Sequence, residues 1–203
     1  MTGAHDHDTG QAPALRALVV VESMFGNTSA IGRAVAEGLS LEGVETETVP
    51  VTDAPELLPE GVDLLVLGAP THAFSLSRAS TRSSAVQQGA PASVASIGVR
   101  EWLGALQTWG PMPRVAVFDT RVTKVRWLPK AAAPTAHRIA RRHRFEALTK
   151  PASFLVDDIK GPLVGGELER AAAWGRTLGT QLRAATATAA ATATRTSTRT
   201  SQP

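Results

Sequence analysis

Glu22-Ser23-Met24-Phe25-Gly26-Asn27-Thr28 joins a short apolar run to a stretch of helical periodicity. Ser23, Asn27 and Thr28 bring hydroxyl and amide donors, and Gly26 lets the backbone fold closely around an anion. The first N–H groups of a helix lack partners and the helix dipole is positive there, so a phosphate fits. Ser, Asn and Thr are also the residue types that cap a helix, so the segment read alone serves either purpose. No Gly-Lys-Ser/Thr follows, and Gly-x-Gly-x-x-Gly is absent. A Walker-type nucleoside triphosphatase and a Rossmann dehydrogenase are therefore disfavoured.

Other chemistries fail on the residue types present. The chain has 203 residues and no cysteine, which excludes disulfides, thiolate zinc sites, iron–sulfur clusters and a cysteine nucleophile. His72, His137 and His143 lack metal-ligand spacing. Ser75, Ser77, Ser80, Ser83 and Ser84 stand in no Gly-x-Ser-x-Gly elbow. Lys and Arg number 21 against 18 acids, a formal charge of +3. The excess lies in the second half, densest from Arg114 to Lys150, where Asp119 and Glu146 are the only acids. Arg138, Arg141, Arg142 and Arg144 read as a solvated helix face, or as a docking patch for an acidic partner or anionic lipid. At most peripheral membrane contact through residues 121–144 is expected. No nucleic-acid module or aromatic–basic interleaving is present.

The elements that position these residues follow from periodicity. Residues 17–21, 62–67 and 114–118 are short apolar runs, as in strands buried on both faces. Val44–Val51 alternates as a strand with Val44, Thr46 and Thr48 inward. Ile31, Ala34, Val35, Gly38 and Leu39 share a helical face. Residues 70–95 read mostly as loop, Val99–Gln107 and Lys130–His143 as helices, and 145–148 and 153–156 as short strands. Gly166–Arg183 reads as a closing helix with Leu168, Ala172, Leu178 and Leu182 inward. Strand–helix alternation predicts an α/β domain with a doubly wound parallel sheet. Its ligand would sit beyond the carboxyl ends of the strands. The expected organisation is a disordered leader (1–13), one domain (14–183) and a disordered tail rich in Ala, Thr and Arg (184–203). No export signal or membrane span is visible, so the expected compartment is the cytoplasm.

Ser23-Met24-Phe25-Gly26-Asn27-Thr28 resembles the phosphate loop of the flavodoxin-like family. Gly68-Ala69-Pro70-Thr71-His72-Ala73-Phe74 resembles the loop that touches the flavin ring, and Phe118-Asp119-Thr120-Arg121 stands where the next flavin loop begins. The resemblance implies five parallel strands in the order 2-1-3-4-5 and one non-covalent FMN. The phosphate would rest on residues 23–28. Pro70, Thr71, His72, Ala73 and Phe74 would border the ring, with His72 or Phe74 on one face. Asp119, Thr120 and Arg121 would border the other face and the pyrimidine edge. Phe25 replaces a hydroxyl usual in simple flavodoxins, and the chain contains no tyrosine to stack on the ring, leaving Trp127 as a possible substitute. The resemblance implies an electron carrier between a reductase and an acceptor. The alternative is an FMN-dependent oxidoreductase acting on a quinone or porphyrinogen. A flavin-free regulatory module is a third reading, weakened because Glu22 is the one acid ending the first strand.

Overall fold

The computed structural model describes residues 14–72, 75–125 and 131–200. Four long strands carry the sheet: β1 (Arg16–Val21), β2 (Glu45–Pro50), β3 (Leu64–Pro70) and β4 (Arg114–Val122). Two short ones, β5 (Glu146–Ala147) and β6 (Ala152–Val156), follow. The helices are α1 (Asn27–Leu41), α2 (Ala79–Gln87), α3 (Val99–Ala105), α4 (Ala132–Arg142) and α5 (Glu167–Thr200). All strand pairs are parallel, in the order β2-β1-β3-β4-β5, with β6 also on β4. The expected 2-1-3-4-5 order is present, with its fifth position filled by two segments. Arg114 and Val115 pair with β5, and Phe118–Val122 pair with β6. Pro151 lies in the break, where it has no N–H to give to a ladder.

Alternate residues of each strand face opposite layers. Leu18, Val20, Leu65, Leu67, Val115 and Val117 pack under α3 and α4. Val19, Val21, Leu64, Val66, Ala116 and Phe118 pack under α1 and α5. Phe118, Phe154 and Trp174 form an edge-to-face cluster in that second layer, with centroids 5.8–6.1 Å apart. The two helices of this layer touch backbone to backbone. A Cβ at Gly38 would collide with the carbonyl oxygen of Ala172, and one at Gly175 with that of Val35.

Four expectations need correction. Within 70–95, expected as mostly loop, the chain forms α2 and a 3-10 turn at Ala92–Ala95. α2 has no amphipathic pattern to reveal it; Ser83 and Ser84 instead donate to the carbonyls of Ala79 and Ser80, and the Arg78 amide donates to Thr81 Oγ1 at 2.9 Å. β4 continues past Phe118 to Val122, so Asp119, Thr120 and Arg121 lie in the strand. The tail expected to be disordered from Ala184 continues α5 to Thr200. Ala is the best helix former, and a helix already nucleated on the domain extends at low cost. Thr186, Thr188 and Thr192 hydroxyls donate to carbonyls four residues back. Leu178 and Leu182 face inward as expected, but Leu168 is 44% exposed, and Thr48 faces solvent. Residues 1–13 lie outside the described residues. Among the described residues no helix is long and apolar enough to cross a membrane.

Candidate functional site

At the carboxyl ends of β1, β3 and β4 lies a cleft of about 280 Å³. Of the sequence-predicted site residues, Ser23, Met24, Phe25, Asn27, Thr28, Pro70, Thr71, His72, Thr120 and Arg121 line it. Gly26 belongs to the same loop with φ of 89°, the left-handed conformation that glycine adopts without strain, and open space lies around it. Ala73, Phe74 and Trp127 lie outside the described residues. Val122, Val156 and Ile159 complete the rim.

The loop's polar side chains are all turned away from capping α1. Ser23 Oγ accepts from the Gly26 amide at 3.1 Å. Asn27 Nδ2 donates to the Lys160 carbonyl at 3.1 Å, and Thr28 Oγ1 lies 2.8 Å from Thr120 Oγ1. The N-cap residue of α1 is Gly26, which has no side chain to cap it. The Ser23, Asn27 and Thr28 side chains thus bond elsewhere than to the first amides of α1. The first turn of α1 is left with the unpaired amides that an anion requires.

Asp119, expected at the flavin border, does not line the cleft and anchors a helix. It is fully buried, and its Oδ2 accepts from the Ala133 amide at 2.8 Å. Thr71 Oγ1 accepts from the Ala132 amide at 3.0 Å. The two residues together hold the start of α4, whose own N-cap residue, Ala131, has no side-chain acceptor. Burial pushes the Asp119 carboxyl up, against the pull of the Ala133 amide, the Ser153 hydroxyl and the Arg121 charge. Burial also pushes the His72 imidazole down, so its neutral form is favoured. His72 and Ser75 exchange two backbone hydrogen bonds of 2.9 Å across the loop tip.

Sequence reasoning missed the contribution of α2, which brings Thr81, Ser84, Ala85 and Gln88 into the cleft. Ala85 of α2 and Ala90 just beyond it pack with Met24, so the helix rests on the loop of residues 23–28. A buried polar network fixes it there. Arg82, 2% exposed, donates to Ser77 Oγ at 3.0 Å and Glu101 Oε2 at 3.1 Å. Glu22 also lies in this network, at 2% exposure, and its Oε2 accepts from the Val99 amide at 2.8 Å. Burial pushes the Glu22 carboxyl up, opposed by Ser77, Val99 and Arg82. The acid that ends β1 therefore serves the start of α3. From the other side, Arg100 donates to Ser75 Oγ at 3.2 Å and the Leu76 carbonyl at 3.3 Å. Two arginines thus fasten the segment leaving β3.

The basic residues of α4 lie elsewhere. Arg138, Arg141 and Arg142 are exposed, and the last two occupy the final turn of α4. That turn is about 15 Å along the helix from the end that Thr71 and Asp119 hold. Among the described residues no group of His, Asp or Glu is placed to hold a metal ion.

No protein-family model matches the chain. Solved structures resemble it. Flavodoxin 2 from Bacillus cereus superposes with a TM-score of 0.58 at 15% identity, covering 82% of this chain and 99% of that one. A flavodoxin from the domain Archaea gives 0.56 at 13% identity, covering 83% and 99%. The flavodiiron core of Flv1 from Synechocystis sp. PCC6803 gives 0.58 at 17% identity, covering 86% of this chain but 37% of that one. At these identities the likeness establishes a flavodoxin-like fold.

Proposed function

We propose that this flavodoxin-like domain binds one FMN and carries electrons between a reductase and an acceptor protein. The observation that carries the reading is the uncapped start of α1, beside which Ser23, Asn27 and Thr28 all find other partners. The residues fit a phosphate ester: the amides of the first turn of α1 would hold it, and Gly26 leaves room for it. Thr71, His72 and Arg121 would border the flavin ring, and Thr81, Ser84 and Gln88 supply polar groups from α2 suited to a polyol chain. When bound, FMN supplies the electron chemistry, and the protein sets its potential. Neutral His72 adds no charge at the ring, whereas Arg121 does. The exposed arginines of α4 support an acidic redox partner.

A second reading is an FMN-dependent oxidoreductase that reduces a quinone. The apolar rim of Val122, Val156 and Ile159, the last 59% exposed, favours it. An absorbance spectrum of the purified protein and a fluorescence titration with FMN test the first premise. Saturable quenching of flavin fluorescence is expected, and its absence in folded protein refutes flavin binding. Steady turnover of NAD(P)H with a soluble quinone, without an added reductase, would favour the enzyme over the carrier.

A further inference from the structure

A phosphate monoester carries about 1.5 to 2 negative charges at neutral pH. Residues 23–28 contain no cation. Phe25 has no polar group to offer an anion, and the Asn27 side chain is turned to the Lys160 carbonyl. The same contact brings a cation to the loop. Lys160 arrives from the turn between β6 and α5, and its Nζ stands 5.7 Å from the centroid of the Phe25 ring. The turn presses on the first residue of α1: a Cβ at Gly161 would stand 2.7 Å from Asn27 Oδ1. Neighbouring Ile159 lines the cleft. Among the described residues no carboxylate lies within ion-pair distance of Lys160. The cation that lines the cleft itself, Arg121, has its charge set against Asp119.

We propose that Lys160 is a binding residue for the phosphate monoester, poised on the Phe25 face and supplying the positive charge that the loop lacks. The proposal rests on the phosphate-loop reading of residues 23–28. A cation–π contact is weak at an exposed site, so it holds the ammonium near the loop without competing strongly with a dianion. Lys160 then distinguishes the phosphorylated flavin from riboflavin, which offers the same ring and polyol but no charge.

The test compares the wild-type chain with Lys160→Met in fluorescence titrations with FMN and with riboflavin. Lys160 is exposed, so the substitution leaves the core intact. The variant is expected to bind FMN about tenfold more weakly and riboflavin unchanged. FMN affinity of the wild type should also fall more steeply with salt. Unchanged FMN affinity in the variant overturns the proposal, as does an equal loss for FMN and riboflavin, which would make Lys160 a support for Phe25. If the wild type binds neither flavin, the flavin reading fails, and inorganic phosphate decides about Lys160. Thermal stabilisation by phosphate that disappears in Lys160→Met upholds the anion site; an equal shift, or none in either protein, overturns it.

Discussion

Thr28 and Thr120 share a buried hydrogen bond of 2.8 Å between their hydroxyls, tying the first turn of α1 to the end of β4. The loop proposed to hold the phosphate and the segment proposed to border the flavin ring are thus held in one frame. Thr120→Val keeps the shape but leaves the Thr28 hydroxyl buried without its partner. A loss of about 1 to 2 kcal/mol is expected in urea denaturation. The double variant Thr28→Val/Thr120→Val should recover most of it, since neither polar group then remains. A double variant less stable than both single ones contradicts this account.

Arg82→Met should cost about 3 kcal/mol, because it leaves Glu22 and Ser77 buried without the guanidinium between α2 and α3. Glu101→Gln should cost less than about 1 kcal/mol, since Glu101 is 42% exposed and water replaces the lost charge. FMN affinity should fall in Arg82→Met, as α2 loses its hold over the phosphate loop. Equal stability losses in the two variants would place the energy elsewhere.

Asp119 and Glu22 are both pushed up by burial. A carboxyl raised in the folded state contributes stability that is full below its unfolded value and is lost as pH rises through its folded value. Relative to wild type, Asp119→Asn and Glu22→Gln should each lose less stability between about pH 4 and pH 7. Denaturant midpoints measured across that window give the comparison, and parallel curves for variant and wild type would refute it.

Arg121 lines the cleft beside the position proposed for the flavin ring. A nearby cation favours added negative charge, so the bound flavin should be fully reduced at a less negative potential than in acid-rich flavodoxins. Arg121→Gln should move the potential to a more negative value. Spectroelectrochemical titration of the FMN complex measures both, and an unmoved potential removes Arg121 from the account.

Leu182 is the last large apolar side chain of α5 in the core. Removal of residues 187–203 should change the unfolding free energy by less than about 0.5 kcal/mol, as for surface changes in general. Chemical denaturation of the shortened chain tests this; a larger loss would mean that the end of α5 packs on the domain.

The strands of the sheet were readable because each inner one is a continuous apolar run, with Val19, Leu65 and Val117 fully or almost fully buried, whereas their order came from the family resemblance. Reading stopped at Phe118 because Asp119-Thr120-Arg121 breaks that run. The strand continues there since Asp119 finds the Ala133 amide and Thr120 finds Thr28, partners that no local pattern announces. α2 was hidden for a related reason: its buried residues are Arg82 and Ala85, and an arginine signals solvent unless its partners are known. Most of the cleft lining could be named by resemblance. The approach of Lys160 to the loop of residues 23–28 could not, because its carbonyl meets Asn27 across 133 positions of chain.

The bare contact of α1 with α5 at Gly38 and Gly175 reaches beyond packing. That contact lies about three turns along α1 from the end proposed to hold the phosphate. A methyl group inserted there would force the two helices apart and shift the amides at the start of α1. Two positions with no side chains would therefore act as a gunsight for the charge proposed to bind there, which they never touch.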